Sequence, residues 1–311
     1  MDVTFWGVRG SIPTPGFDTV RYGGNTLCIE AVPDGCARTL IVDAGSGIRL
    51  LGNALMSRSR VAGSVQIDLM LTHTHLDHIL GLPFFRPLYH PATRATLYGP
   101  VISAADSLKR VIGGQLSYRY FPVRQVELSA EMHYVDLREG RLELGDGIQV
   151  TTTYLNHPLL CMGYRIEQGG KVICTAFDTE PFHNLFSSDP SEPGYDELMA
   201  QEGELSAREA GTRLTRFFRG ADLLIHELGS GMHQVILDGA HAGDALALED
   251  AGRDRHPARV ADKGHHTAAL VDLAHQLEQR GRAAHIVGRK APGDDHAVII
   301  RGARVLGGQC G

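Results

Sequence analysis

Cysteine is sparse and shows no pairing pattern. The five residues, at positions 28, 36, 161, 174 and 310, contain no C-x-x-C element and are odd in number, which excludes a disulfide framework and a thiolate zinc site. Cys28, Cys161 and Cys174 read as small buried hydrophobes. An excess of positive charge is also missing. Thirty basic residues against 36 acidic ones leave a formal net charge of -6, so no global positive field grips a nucleic acid, although the sum leaves room for a local basic patch. No apolar run approaches the ~18 residues needed to cross a bilayer, and the opening Met1-Asp2-Val3-Thr4-Phe5-Trp6 lacks the basic-then-apolar order of a secretory signal. The expectation is a cytoplasmic protein. Aromatic residues make up only 6% of the 311, while 43% are hydrophobic and 37 are glycine; this balance fits a loop-rich globular enzyme and excludes disordered, coiled-coil and collagen-like chains.

Short β-branched or apolar runs alternate with Gly, Pro and Asn punctuation. They predict strands at Val3 to Trp6, Thr26 to Ala31, Thr39 to Val42 and Gln66 to Thr72, with a helix over Ser46 to Met56 carried by Ile48, Leu51 and Leu55. A second strand-rich phase follows at Ile148 to Tyr154, Met162 to Glu167 and Lys171 to Phe177, with Gly169-Gly170 as a hairpin turn. Ser206 and Glu209 have capping-box spacing ahead of an apolar stripe at Ala210, Leu214, Phe217 and Phe218, a helix ended by Gly220. Leu223 to Ile225 reads as a buried strand, and Leu270 to Leu277 as a late helix stopped by Gly281. Two β-rich phases, each closed by helices, predict an α/β protein of two sheets packed face to face with helices outside. No linker separates them, so residues 1–311 form one predicted domain. The aperiodic stretches 179–204 and 229–264 are long loops, each a candidate lid.

Sixteen histidines point to a site, since imidazole is the commonest metal ligand and proton carrier near neutral pH. The sharpest cluster is Thr72-His73-Thr74-His75-Leu76-Asp77-His78, directly after a predicted strand. In extended backbone His73 and His75 project to the same side and can share one ion, and a turn into a helix after Leu76 lets Asp77 and His78 face a second. An isolated histidine at a strand end is more often a satisfied surface or core residue. Four ligand-type side chains within six residues are not explained that way.

This string, with Phe5-Trp6-Gly7-Val8-Arg9-Gly10-Ser11, Arg21-Tyr22-Gly23-Gly24-Asn25-Thr26 and Ile41-Val42-Asp43-Ala44-Gly45-Ser46-Gly47, resembles the metallo-β-lactamase superfamily over nearly all of the chain. Within it, the likeness is to the branch containing tRNase Z, phosphonate-pathway cyclic phosphodiesterases and cyclic-nucleotide phosphodiesterases. The resemblance implies an αβ/βα four-layer sandwich of two mostly antiparallel β-sheets with outer helices. It also implies two divalent metal ions, zinc first, with manganese or iron as alternatives. His157, in Leu155-Asn156-His157-Pro158, would join His73 and His75 on the first ion, and Asp178 would bridge it to the second, held also by Asp77 and His78. Asp43 would either hold the ligand loop through hydrogen bonds or cap the following helix.

In the C-terminal third, His226-Glu227 and Gly264-His265-His266-Thr267 resemble elements in which a histidine, oriented by a glutamate, protonates the leaving group; here these are His265 and Glu227. The last metal ligand is expected three residues before Pro292, where this chain has Arg289. Arginine keeps its proton and cannot ligate a cation. Either the second ion has one protein ligand fewer, or His285 or His296 replaces it, or the second site is weak, or the alignment is shifted there. Arg289 and Lys290 are candidates for holding an anionic substrate, and equally for solvated surface cations.

The implied reaction is hydrolysis by metal-activated water of a small or nucleotide-like phosphodiester, with Asp77 positioning the water. A lactone or ester hydrolase with the same ions, and a non-catalytic ligand-binding sensor that kept the fold, are the alternative readings. The acidic balance and the absence of a long basic, glycine-rich arm argue against tRNA processing and against a stable nucleic-acid partner. No membrane partner is expected, and a homodimer is compatible with the sequence.

Overall fold

In the strand Arg38–Val42, Leu40 and Val42 point into one apolar core while Ile41 points into another. That alternation, repeated along both sheets, makes the architecture four layers deep. The computed structural model describes residues 1–19, 23–101, 106–228, 232–237, 286–288 and 298–300. The first sheet contains β1 (Asp2–Gly7), β2 (Cys28–Val32), β3 (Arg38–Val42), β4 (Val65–Met70), β5 (Thr93–Pro100) and β6 (Glu131–Leu137). The second contains β7 (Gly140–Gly145), β8 (Ile148–Leu155), β9 (Cys161–Gln168), β10 (Lys171–Ala176), β11 (Leu223–Leu228) and β12 (Met232–Leu237). Two late strands, β13 (Ile286–Gly288) and β14 (Val298–Ile300), complete the first, giving the orders β13-β14-β1-β2-β3-β4-β5-β6 and β12-β11-β10-β9-β8-β7. Neighbours are antiparallel except along β3-β4-β5-β6 and between β10 and β11.

Between the sheets lies a core that includes Phe5, Ile29, Val42, Met70, Val150, Tyr164 and Ile225. Outside the first sheet, α1 (Ile48–Ala62), α2 (Leu76–Ile79) and α3 (Leu108–Gln115) bury Ile48, Leu51, Leu55, Ile79, Leu108 and Ile112. Outside the second, α4 (Glu197–Phe218) buries Leu214 and Phe218 against Cys174 and Leu224. The sandwich expected from the sequence is the observed one. No helix among the described residues is long and apolar enough to cross a membrane.

Four local expectations are corrected. Ser46 does not open α1; its hydroxyl accepts from Thr26 N–H and donates to Asn25 Oδ1, and the helix starts at Ile48 and continues past Met56 to Ala62, where Gly63 caps it. Ser206 and Glu209 lie inside α4, which starts at Glu197 with Asp196 accepting from the Met199 N–H at 2.9 Å. The stretch 179–204 is therefore part helix. Its first turns expose Leu198, Met199 and Leu205 and show no apolar stripe, so their sequence carries no helical period. Between Ile79 and Ile148 the sequence suggested no elements, whereas the structure has β5, α3, β6 and β7 there. Strands β6 and β7 are the charged edges of their sheets, with Glu131, Asp136, Arg141 and Glu143 in place of an apolar run. Within the stretch 229–264, expected as a loop, Met232–Leu237 is strand β12, paired antiparallel with β11; the rest of that stretch and the late helix lie outside the described residues.

Candidate metal centre

Strand β4 ends at the rim of the sandwich, and two bonds from the opposite sheet hold its end there. Met162 N–H donates to the Thr72 carbonyl at 2.8 Å, and the Tyr164 hydroxyl donates to the Leu71 carbonyl. His73 leaves this anchored end, and His75 stands at the N-terminus of α2, whose single turn carries Asp77 and His78. The α2 turn lies directly on the loop after β3: Ala44 N–H reaches the His78 carbonyl at 2.7 Å and Gly81 N–H the Ala44 carbonyl at 2.9 Å. That approach needs glycine, because a Cβ on Gly81 would stand 2.1 Å from the Gly45 carbonyl oxygen. From the second sheet, the β8–β9 turn brings His157 and the end of β10 brings Asp178. Asn156 couples these two loops through its Nδ2, which donates to the Pro181 carbonyl at 2.9 Å.

Four donors converge. His73 Nε2 lies 2.9 Å from His75 Nδ1, His75 Nδ1 lies 3.2 Å from His157 Nε2, and Asp178 Oδ2 lies 3.4 Å from His73 Nε2 and 3.9 Å from His157 Nε2. All four fall within 4.8 Å of one another. Donors arranged tetrahedrally at zinc bond lengths of about 2.0 to 2.1 Å stand roughly 3.3 Å apart, so the spacing fits one cation. Each of the three ring nitrogens can present a lone pair in its neutral form, which is the form that ligates a cation. Burial, then the electrostatic influence of the neighbouring His73, pushes His75 and His157 below the ordinary imidazole value, which favours the neutral, ligating form.

A second, looser set adjoins it. His78 Nε2 sits 3.3 Å from Asp178 Oδ1 and 3.6 Å from Asp77 Oδ2, and Asp77 Oδ2 also accepts the Ser11 N–H at 2.6 Å. Burial lowers the affinity of His78 for a proton. The charge of Asp43 and hydrogen bonds to Asp178 and Asp43 outweigh that and hold it well above the ordinary value. Beneath both sets lies Asp43, fully buried, with left-handed backbone at φ 62°. It does not cap α1. Its Oδ1 accepts Thr72 N–H at 2.7 Å, and its Oδ2 meets Thr72 Oγ1 and His78 Nδ1, each at 2.8 Å. Asp178 is likewise left-handed, at φ 43°, a conformation that Asp tolerates better than most side chains and that concentrates at functional sites.

The structure thus brings together His73, His75, His157 and Asp178, sets Asp77 and His78 beside them, and puts Asp43 underneath. Glu227 follows His226, which is in register with Ala176 on the strand leading to Asp178. His265, Arg289 and Lys290, with His285 and His296, lie outside the described residues. Sequence reasoning missed three participants: Ser11, Thr72 and Cys161, whose Sγ lies 3.6 Å from His73 Nδ1. Thr72 alone had a visible signal, a hydroxyl immediately before the first ligand.

Residues 38–199, just over half of the chain, match the model of the beta-lactamase superfamily domain. Among curated proteins, ribonuclease BN of Cronobacter sakazakii is 29% identical over 178 residues, covering 55% of this chain and 51% of that one. The match therefore spans about half the length of that relative. Ribonuclease BN of an Enterobacter species is 24% identical over 254 residues, with 73% and 76% covered. Among solved structures, the short form of human tRNase Z is similar at 18% identity and a TM-score of 0.42, covering 88% of this chain and 89% of that one.

Proposed function

The chain belongs to the beta-lactamase superfamily, and from that premise we propose that it is a metal-dependent hydrolase of phosphodiesters. The observation that carries the proposal is the convergence of His73, His75, His157 and Asp178. These four would hold one divalent ion, zinc being the first candidate, and Asp77, His78 and Asp178 a second. When bound, such ions lower the pKa of a coordinated water toward about 7 and neutralise charge on a phosphoryl oxygen. The chain's own residues do the positioning. Asp43 fixes the ring of His78 through Nδ1, and the Ser11 N–H holds the Asp77 carboxylate in place. Asp77 orients the attacking water and His265 with Glu227 supplies the proton to the departing oxygen, roles that rest on the resemblance of their motifs; Arg289 and Lys290, where this chain departs from the motif's histidine, would draw in an anionic substrate through their charge. The ribonuclease names of the relatives favour a diester between nucleotides over a lactone.

The test uses protein stripped by chelator and reloaded with zinc or manganese, assayed on bis(p-nitrophenyl) phosphate, a 2′,3′-cyclic nucleotide and an acyl lactone. Metal-restored turnover of the diesters is expected. Lactone turnover alone would move the assignment to ester hydrolysis, and tight metal retention without turnover of any of the three would favour a binding protein.

A further inference from the structure

Thr72 has one hydroxyl proton and three neighbours that compete for it: Asp43 Oδ2 at 2.8 Å, His73 Nδ1 at 3.1 Å and His78 Nδ1 at 3.4 Å. A carboxylate can only accept, so the proton goes to Asp43, which is also the nearest. Toward His73 the hydroxyl then offers a lone pair. Cys161 Sγ stands 3.6 Å from His73 Nδ1 and 3.6 Å from the Phe177 carbonyl oxygen, which is available to accept its S–H. The Thr72 lone pair at 3.1 Å is the nearest acceptor to His73 Nδ1 and favours the proton there, which turns the Nε2 lone pair toward His75 and His157; Asp178 Oδ2, 3.4 Å from Nε2, is the competing acceptor that a cation at the focus would satisfy instead.

From this accounting we infer that Thr72 is a positioning residue that relays the charge of Asp43 to His73, so that one buried carboxylate orients both His73 and His78. His78 receives its orientation directly, through Nδ1 on Asp43 Oδ2. His73 receives it one hydroxyl further away. A histidine ligand is ordinarily held by its own carboxylate or carbonyl partner; here a shared partner couples the four-donor set to the looser one. The backbone adds precision, because Thr72 N–H on Asp43 Oδ1 and Met162 N–H on the Thr72 carbonyl lock the residue from both sides. Thr72 and His73 are fully buried, so no solvent molecule competes for the relay.

The inference rests on the proposed metal centre, and its test separates the two. Thr72→Val removes the hydroxyl at nearly constant shape, and Thr72→Ser retains it. Zinc affinity is measured by competition with a chromogenic chelator, and the His73 tautomer by 15N chemical shifts of the imidazole in metal-free protein. The expected result is a loss of affinity of about tenfold or more in Thr72→Val, near-parental affinity in Thr72→Ser, and loss of the Nδ1–H tautomer signature only in Thr72→Val. Equal affinity and tautomer in all three proteins would overturn the relay, as would equal losses in both variants accompanied by a lowered unfolding midpoint, which would mark a packing role. If zinc binds none of the three, the metal-centre reading fails, while the tautomer in metal-free protein still decides for or against the relay.

Discussion

The Oδ1 atom of Asp178 lies 3.3 Å from His78 Nε2, while its other oxygen faces His73 and His157. One carboxylate thus has an oxygen in each donor set, which is the geometry a bridge between two cations requires. Asp178→Ala should therefore cost more than a single ligand: metal content per chain, measured by atomic emission after gel filtration, is expected to fall below one equivalent, with diester turnover at background. Retention of two equivalents would assign the bridge to another residue.

His75 offers the cleanest test of a single ligand, since it is exposed apart from its place in the cluster. Substitutions at such positions usually change stability by no more than about 0.5 kcal/mol. His75→Ala should keep the unfolding midpoint of the metal-free chain and lose most of its zinc affinity and turnover. An active, metal-replete His75→Ala protein would remove His75 from the first coordination sphere.

How far the sequence disclosed this site follows from how its residues are linked. His73, His75, Asp77 and His78 occupy one strand end and one helical turn, so their spacing alone places them together. His157 and Asp178 come from another sheet, and only their likeness to family motifs attached them to the cluster. Ser11 and Cys161 act through hydrogen bonds between segments distant in sequence, as in the 2.6 Å contact between Ser11 and Asp77, and no local pattern encodes such contacts; Thr72 is marked only by its place beside the first ligand, while its bonds to Asp43 cross from a distant segment. The same division holds for the fold. Core strands such as β3 and β10 announce themselves by apolar runs, whereas the edge strands β6 and β7 have charged residues interrupting their apolar ones, and the first half of α4 exposes Leu198, Met199 and Leu205 without a helical stripe, so only the tertiary structure defines them.

Asp43 accepts from three donors in a site without solvent. Asp43→Ala would leave three buried donors unpaired, at about 1 to 3 kcal/mol each, and is expected to destabilise the chain by at least about 3 kcal/mol. Asp43→Asn is more informative, because asparagine tolerates the left-handed backbone. Its amide must donate to one of the groups that Oδ2 now accepts from. Zinc affinity should fall more steeply than the urea midpoint in Asp43→Asn; parallel losses in the two quantities would count against a role in ligand orientation.

Away from the site, Asp68 is buried between the sheets, where it pairs with Arg38 at 2.9 Å and accepts from Tyr98 at 3.1 Å. Burial, only partly offset by Arg38 and Tyr98, raises its pKa above the ordinary value of 3.8. Well below that value the carboxyl is neutral in the folded and unfolded chains and pH has no leverage. As pH rises through 3.8 the unfolded chain ionises first, so the folded state loses stability until pH passes the raised folded value. Asp68→Asn lacks this titration. The stability of the parent relative to the variant, from urea midpoints of metal-free protein, should therefore decline as pH rises above the ordinary carboxylate value of 3.8. A gap independent of pH would mean that Arg38 and Tyr98 compensate fully.

Among the described residues the looser donor set contains Asp77, His78 and Asp178. The sequence puts Arg289, outside those residues, where the family motif ends in a further histidine. A fixed guanidinium at that place would repel an ion and leave the second position underfilled in purified protein. Arg289→His exchanges that cation for a neutral imidazole and should raise metal content toward two equivalents. If Arg289 also holds the substrate phosphate, KM for the diester should rise in the same variant even as metal content increases, because a charge-assisted contact has been removed. Metal stoichiometry and steady-state kinetics on this one variant therefore read two roles separately. A variant unchanged in both would place Arg289 away from the centre, and His285 and His296 would then be the residues to substitute in the search for the remaining ligand.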